Sequence, residues 1–253
     1  MEVFSRGLQE SILNPDEFKG KSISVIGAGA TGSYLVTMLA KAGIGTKGCG
    51  DIKVFDFDVV EKKNLLNQDF EPKHVDMLKA TALAEKCLEN YGSELKVYDM
   101  RVKDQKEAQS TYVFLLTDTM SSRAEIVEEA MKYAVGTDLI IETRMSATEG
   151  RIYAFNPNNR AELEEWKNTL YSDDEAETSL CGTEASIAVS PSLLANLAFL
   201  TFAQHFNANH SRMIVHKDDS KKPFYFEFMY SVMPFGIVAR EFGKEPQFFP
   251  GLG

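Results

Sequence analysis

The stretch "SISVIGAGATGSYLVTMLAKAG", residues 22–43, constrains the fold more than any other part of the chain. Its first five residues are mostly apolar and read as a strand. Glycines at 27, 29 and 32 interrupt the run, and apolar residues then resume at helical spacing at Tyr34, Leu35, Met38 and Leu39. A strand passing through glycines directly into a helix is the opening of a βαβ unit. The pattern continues downstream. "DIKVFDFD" (51–58) reads as a second strand, and "KHVDMLKATALAEKCLENY" (73–91) as a helix with Val75, Leu78, Ala82 and Leu83 on its inner face. "LKVYDMRV" (95–102) and "TYVFLLTD" (111–118) are third and fourth strands, "MSSRAEIVEEAMKYAV" (120–135) a further helix, and "DLIIETRMS" (138–146) a fifth strand. Strands alternating with helices predict an α/β, Rossmann-like, mainly parallel sheet with helices on both faces.

Beyond that sheet the pattern changes. "EGRIYAFNP" (149–157) reads as an added strand, and residues 156–185, charged and aperiodic, as an exposed crossover loop. A long helix is expected over 186–208, followed by a terminal hairpin over 212–231 with its turn at Asp218–Lys222. The aromatic tail "GKEPQFFPGLG" is suited to docking on a partner. All 253 residues are read as one domain. Residues 1–155 form its nucleotide-binding part, 156–185 the crossover, and 186–253 the C-terminal helix and hairpin.

A formal net charge of -10 excludes a non-specific nucleic-acid or anionic-membrane binder, because phosphate surfaces are met by clustered Lys and Arg. The longest apolar run, Ser192–Ala203, falls short of a bilayer span and contains Asn196, so it reads as a core helix. The amino-terminal "MEVFSRGLQESIL" lacks the apolar core of a signal peptide, which points to the cytoplasm. Cys49, Cys87 and Cys181 include no C-x-x-C pair, so neither a disulfide framework nor a zinc site is expected.

Gly27, Gly29 and Gly32 make G-x-G-x-x-G, which with Ala30 at the helix start turns backbone amides toward phosphate oxygens; the same glycines could serve only close strand–helix packing. Asp56 ends the second strand, where an acid accepts from ribose hydroxyls. The segment "VFDFDVVEKKNLLNQDF" then carries Asp58, Asn64, Asn67 and Gln68, more polarity than a nicotinamide enzyme uses there. Amide side chains suit a triphosphate, since they donate to phosphate oxygens and accept from metal-bound water. Lys79, one turn inside the next helix, supplies a compact positive charge or else a solvated helix face. Asp118 stands at the carboxyl end of an apolar strand, where it could ligate Mg²⁺; alternatively, Asp118 or Thr119 caps the following helix. Arg123 could tether that helix or the Asp118 carboxylate.

Taken in order, "SVIGAGATGSYLVTMLAKAGIG", "VFDFDVVEKKNLLNQ", "HVDMLKA" and "LLTDTMSSR" resemble the adenylation domain of the ThiF/MoeB/ubiquitin-activating-enzyme (E1-like) superfamily. The D-x-D-x-V-x-x-x-N-L-x-x-Q string carries most of the likeness. The resemblance implies ATP-dependent adenylation of a carboxylate, commonly the terminal glycine of a ubiquitin-like or sulfur-carrier protein. It implies ATP and Mg²⁺ as cofactors, with the glycine loop on phosphates, Asp56 on ribose, and Asn64 and Gln68 near the triphosphate. Lys79 would touch the phosphates, Thr119 would lie beside them and Asp118 would hold Mg²⁺. It further implies a homodimer, in which Arg6 reaches a neighbouring ATP site, and a thiol near Cys181 that could take the activated acyl group. Cys181 has no basic neighbour to lower its pKa. Two departures are visible: Asn67 stands where the family usually has Arg, and the family's zinc cysteines are absent. The alternatives are a non-catalytic E1-like scaffold and an NAD(P)-binding oxidoreductase.

Overall fold

The computed structural model describes residue 13 and residues 15–146, 148–174, 189–209, 225–232 and 235–249. Arg6, Cys181 and the expected turn at Asp218–Lys222 lie outside these residues. One nine-stranded sheet organises the chain, in the order β3-β2-β1-β4-β5-β6-β7-β8-β9. β1 (Ser22–Ile26), β2 (Asp51–Phe55), β3 (Leu95–Tyr98), β4 (Tyr112–Leu115) and β5 (Leu139–Met145) pair in parallel. β6 (Glu149–Phe155), β7 (Tyr225–Val232), β8 (Phe235–Glu241) and β9 (Gln247–Phe249) extend it antiparallel.

The alternation of side chains across each strand feeds two cores, as a sheet covered on both faces requires. Ile23, Val25, Tyr112, Phe114 and Ile141 face one side, where α1 (Ala30–Lys41), α2 (Lys79–Tyr91) and α5 (Val189–Asn209) pack. Ile26, Val113, Leu115 and Ile140 face the other, against α3 (Met120–Glu125), its π-helical continuation Ile126–Ala130, and α4 (Arg160–Lys167). No helix among the described residues is long and apolar enough to cross a membrane.

Four expectations are corrected. The helix expected over 73–91 begins only at Lys79, because residues 75–78 form a turn and a bridge tied to the segment after β2. Val59 bridges Leu78, Val60 N donates to Met77 O, and Asp76 takes a positive φ of 69°. Lys79 is therefore the first residue of α2 and lies nowhere inside it. The crossover expected over 156–185 contains α4, capped by Asn159 and anchored by the fully buried Trp166. The terminal hairpin runs through β7 and β8, with Val232 opposite Phe235. Part of the tail expected to dock on a partner adds to this chain's own sheet as β9.

The glycine loop shows why its residues are glycines. A Cβ on Gly32 would stand 2.0 Å from Gly27 O, and one on Gly27, at φ +100°, would stand 2.7 Å from Leu116 O. Both positions are closed by packing. Gly29 meets nothing within 4 Å. Gly32→Ala is accordingly expected to lower unfolding stability by roughly 3 kcal/mol, the upper end of overpacking costs, whereas Gly29→Ala changes it by less than about 1 kcal/mol. Urea denaturation of the two variants reads the difference.

Candidate functional site

In the order 3-2-1-4-5 the chain leaves β1 for one side of the sheet and β4 for the other, so the carboxyl ends of these strands part and open a crevice. A cleft of about 500 Å³ lies there. Its walls bring together Gly27, Gly29 and Ala30 from the glycine loop with Asp56 and Asp58 from the end of β2. Asn64, Gln68, Lys79 and Asp118 complete this set from three further segments. Gly32, Asn67 and Thr119 do not line the cleft. Gly32 is buried against Gly27, and Asn67 is buried after the short 3-10 helix Lys62–Leu66. Thr119 is the N-cap of α3, its side chain accepting from Ser122 N at 3.3 Å. The capping alternative holds for Thr119, and Asp118 stays exposed at the cleft, with no hydrogen bond or ion pair to another described residue.

Asp56 is nearly buried and grips the loop it faces. Its Oδ2 accepts from Ala28 N at 2.6 Å and its Oδ1 from Asp58 N at 2.8 Å. Burial pushes this carboxyl above its ordinary range, and the neighbouring Lys79 and the two N–H donors pull the other way. Lys79 is buried, and its Nζ donates to Asp58 Oδ2 at 2.9 Å while its backbone N donates to Asp58 O at 2.8 Å. Asn64 Oδ1 accepts from Glu61 N at 2.8 Å, which uses the acceptor end of the amide and leaves the donor end. Asp69 ties the preceding Gln68 to both flanking helices, through Ser33 Oγ at 2.9 Å and the ion pair with Lys86 at 2.7 Å.

Residues that sequence reasoning missed support the far wall, which Arg123 and Arg144 line. Glu142 is fully buried in β5, forms ion pairs with Arg123 Nε at 2.8 Å and Arg144 Nη2 at 2.9 Å, and accepts from Trp166 Nε1 at 3.3 Å. Arg123 thus tethers α3 to β5, as expected of it. Arg144 reaches on to Thr169 O at 2.7 Å, and Asp173 accepts from Met120 N at 2.6 Å, so the chain after α4 is fastened along the cleft. The available signal was an acid inside the apolar run "LIIET". Arg101, over the Phe57 ring at 4.8 Å, closes the β2–β3 side.

The donor set fits a magnesium nucleotide. Gln68 Oε1 is buried without a hydrogen-bond partner on the cleft wall, Asn64 offers a donor, and Asp118 is a free carboxylate of the kind Mg²⁺ takes singly beside water and phosphate. No group of three or more His, Cys, Asp or Glu residues that could hold a metal exists among the described residues.

Removing Glu142 leaves two buried guanidiniums unpaired. Glu142→Ala is expected to cost about 3–5 kcal/mol of stability by chemical denaturation. A second expectation concerns His74, which is buried and whose Nδ1 accepts from Glu71 N at 3.0 Å. Burial lowers its pKa. A folded pKa below the unfolded one means the stability contribution is complete above about pH 6.5 and is lost as pH falls through the folded value. His74→Gln, which keeps an acceptor, should flatten the pH dependence of stability below about pH 6.5.

The ThiF family model matches residues 13–229. Cap2 of Pseudomonas aeruginosa (strain BWHPSA011 / Pa011), an ATP-dependent ubiquitin transferase-like protein, is 42% identical over 57 residues, 22% of this chain. The match spans only 10% of the length of that relative. Among solved structures, PaaA superposes with a TM-score of 0.64 at 16% identity, covering 91% of this chain and 67% of that one. E. coli MccB with ATP superposes at 0.60 and 13% identity, covering 93% and 67%. The microcin C7 biosynthetic enzyme MccB with N-formylated MccA superposes at 0.64 and 14% identity, covering 93% and 68%.

Proposed function

The chain belongs to the ThiF family, and from that premise we propose that it is an ATP-dependent adenylyltransferase acting on the carboxyl terminus of a small peptide or protein, of the ubiquitin-like or sulfur-carrier kind. One observation carries the reading. A single cleft at the switch point gathers the glycine loop, Asp56, Asn64, Gln68, Lys79 and Asp118 from separate parts of the chain. Neighbours of the same fold solved with ATP and with the MccA peptide support a nucleotide and a small acyl partner.

In the proposed reaction an oxygen of the acceptor carboxylate forms a bond to the α-phosphorus as the bond to the pyrophosphate oxygen breaks, giving an acyl adenylate and pyrophosphate. No side-chain nucleophile is needed, so catalysis consists of positioning and charge stabilisation. Asp56 accepts from the ribose hydroxyls, and the amino end of α1 presents Gly29 and Ala30 to the phosphates. Lys79, already held by Asp58, donates to the phosphate oxygens. Asp118 would hold Mg²⁺, whose charge offsets that of the leaving pyrophosphate. Cys181 is the candidate for a later acyl transfer, and Arg6 the candidate for completing the site of a second copy in a cytoplasmic homodimer.

A scaffold that binds nucleotide without reacting is the second reading, favoured by Asn67, an uncharged side chain that does not line the cleft. ATP–pyrophosphate exchange with the cognate acceptor decides between them. Asp118→Ala and Lys79→Met should each reduce exchange by about 100-fold or more, while Cys181→Ala should leave exchange intact and remove any covalent adduct from a non-reducing denaturing gel. Stabilisation by Mg-ATP without exchange supports the scaffold; stabilisation by NAD and not by Mg-ATP supports the oxidoreductase.

A further inference from the structure

Besides Gln68 Oε1, a second polar atom belonging to the cleft wall is buried with no hydrogen-bond partner, the hydroxyl of Thr117. A buried hydroxyl that makes no bond weakens the folded state relative to an apolar side chain of the same shape. Valine has that shape. The hydroxyl therefore gives the ligand-free chain nothing, and its position says what it is suited to. Thr117 follows β4 between Leu116, against which the glycine loop is packed, and Asp118, which lies open at the cleft. A Cβ on Gly27 would stand 3.5 Å from the Thr117 amide nitrogen. Thr117 thus stands at the switch point itself, where a phosphate chain passing from the α1 amino end toward Asp118 must cross.

In its present rotamer the hydroxyl is shielded. Rotation about χ1 exchanges hydroxyl and methyl between staggered wells, and because the hydroxyl makes no hydrogen bond, the turn breaks none. We propose that Thr117 is a nucleotide-binding residue whose hydroxyl turns into the cleft on binding Mg-ATP and donates to a phosphate oxygen. The proposal rests on the reading of the cleft as an ATP site. It adds a neutral donor on the β4 side, facing the amides of α1 across the triphosphate.

Calorimetric titration with Mg-ATP, paired with melting of the ligand-free protein, tests it on wild type, Thr117→Val, Thr117→Ser and Thr117→Ala. The ligand-free Thr117→Val protein should melt at or above the wild-type temperature, while its affinity for Mg-ATP falls about tenfold. Thr117→Ser should stay within about threefold of wild type, and Thr117→Ala should weaken like valine, which guards against a steric artefact of one substitution. Unchanged affinity in both Thr117→Val and Thr117→Ala overturns the assignment. So does a ligand-free Thr117→Val protein that melts several degrees lower with normal affinity, since that marks a structural hydroxyl. Failure of the wild type to bind Mg-ATP removes the nucleotide reading itself, an outcome separable from the first two.

Discussion

The carboxylate of Asp56 is the joint on which the site depends. One oxygen holds the Ala28 amide in the glycine loop and the other the Asp58 amide. Asp58 in turn takes the backbone and side chain of Lys79. Three segments distant in sequence are thus strung on two neighbouring acids. Burial opposes the charge on Asp56, and two amide donors and a nearby ammonium offset part of that cost. These polar groups of the cleft are consequently in place before any ligand arrives, which spares binding the entropy of ordering them.

The sheet divides this labour. Its parallel half, covered by helices on both faces, supplies the carboxyl strand ends that frame the cleft. Its antiparallel half carries no part of the glycine loop or the D-x-D segment, but its junction with β5 supports the far wall. Glu142 sits at that junction, opposite Tyr153, and binds groups from α3, β5 and α4. A fully buried carboxylate between two guanidiniums is a demanding arrangement, tolerable because nearly every donor finds an acceptor.

The parallel half was legible because strand periodicity, glycines and helical spacing agree with one another locally. Asp56, Asp58, Gln68 and Asp118 were legible for the same reason, lying at strand ends or in a dense polar string. Lys79 was recognised as a residue and misplaced as a position. The apolar spacing of Val75 and Leu78 mimics a helix, whereas the turn at Asp76 and the bridge from Val59 to Leu78 keep that stretch out of it. Proximity to Asp118 suggested the cleft for Thr119, whereas a threonine before a helix more often caps it, as it does here. Helix α4 was hidden by its charge: five of its eight residues are charged, which leaves Trp166, with the partly buried Leu163, to anchor it, too sparse a pattern to register as periodic. The Glu142 cluster joins residues from separate elements, which single-sequence spacing cannot bring together.

The pairing of Lys79 with Asp58, and of Arg123 and Arg144 with Glu142, has a kinetic corollary. Charges matched at contact distance project little field into solvent, while the whole chain carries a formal charge of -10. A polyanion approaching from bulk would meet mild repulsion rather than a funnel, so added salt should quicken any capture of one by the cleft.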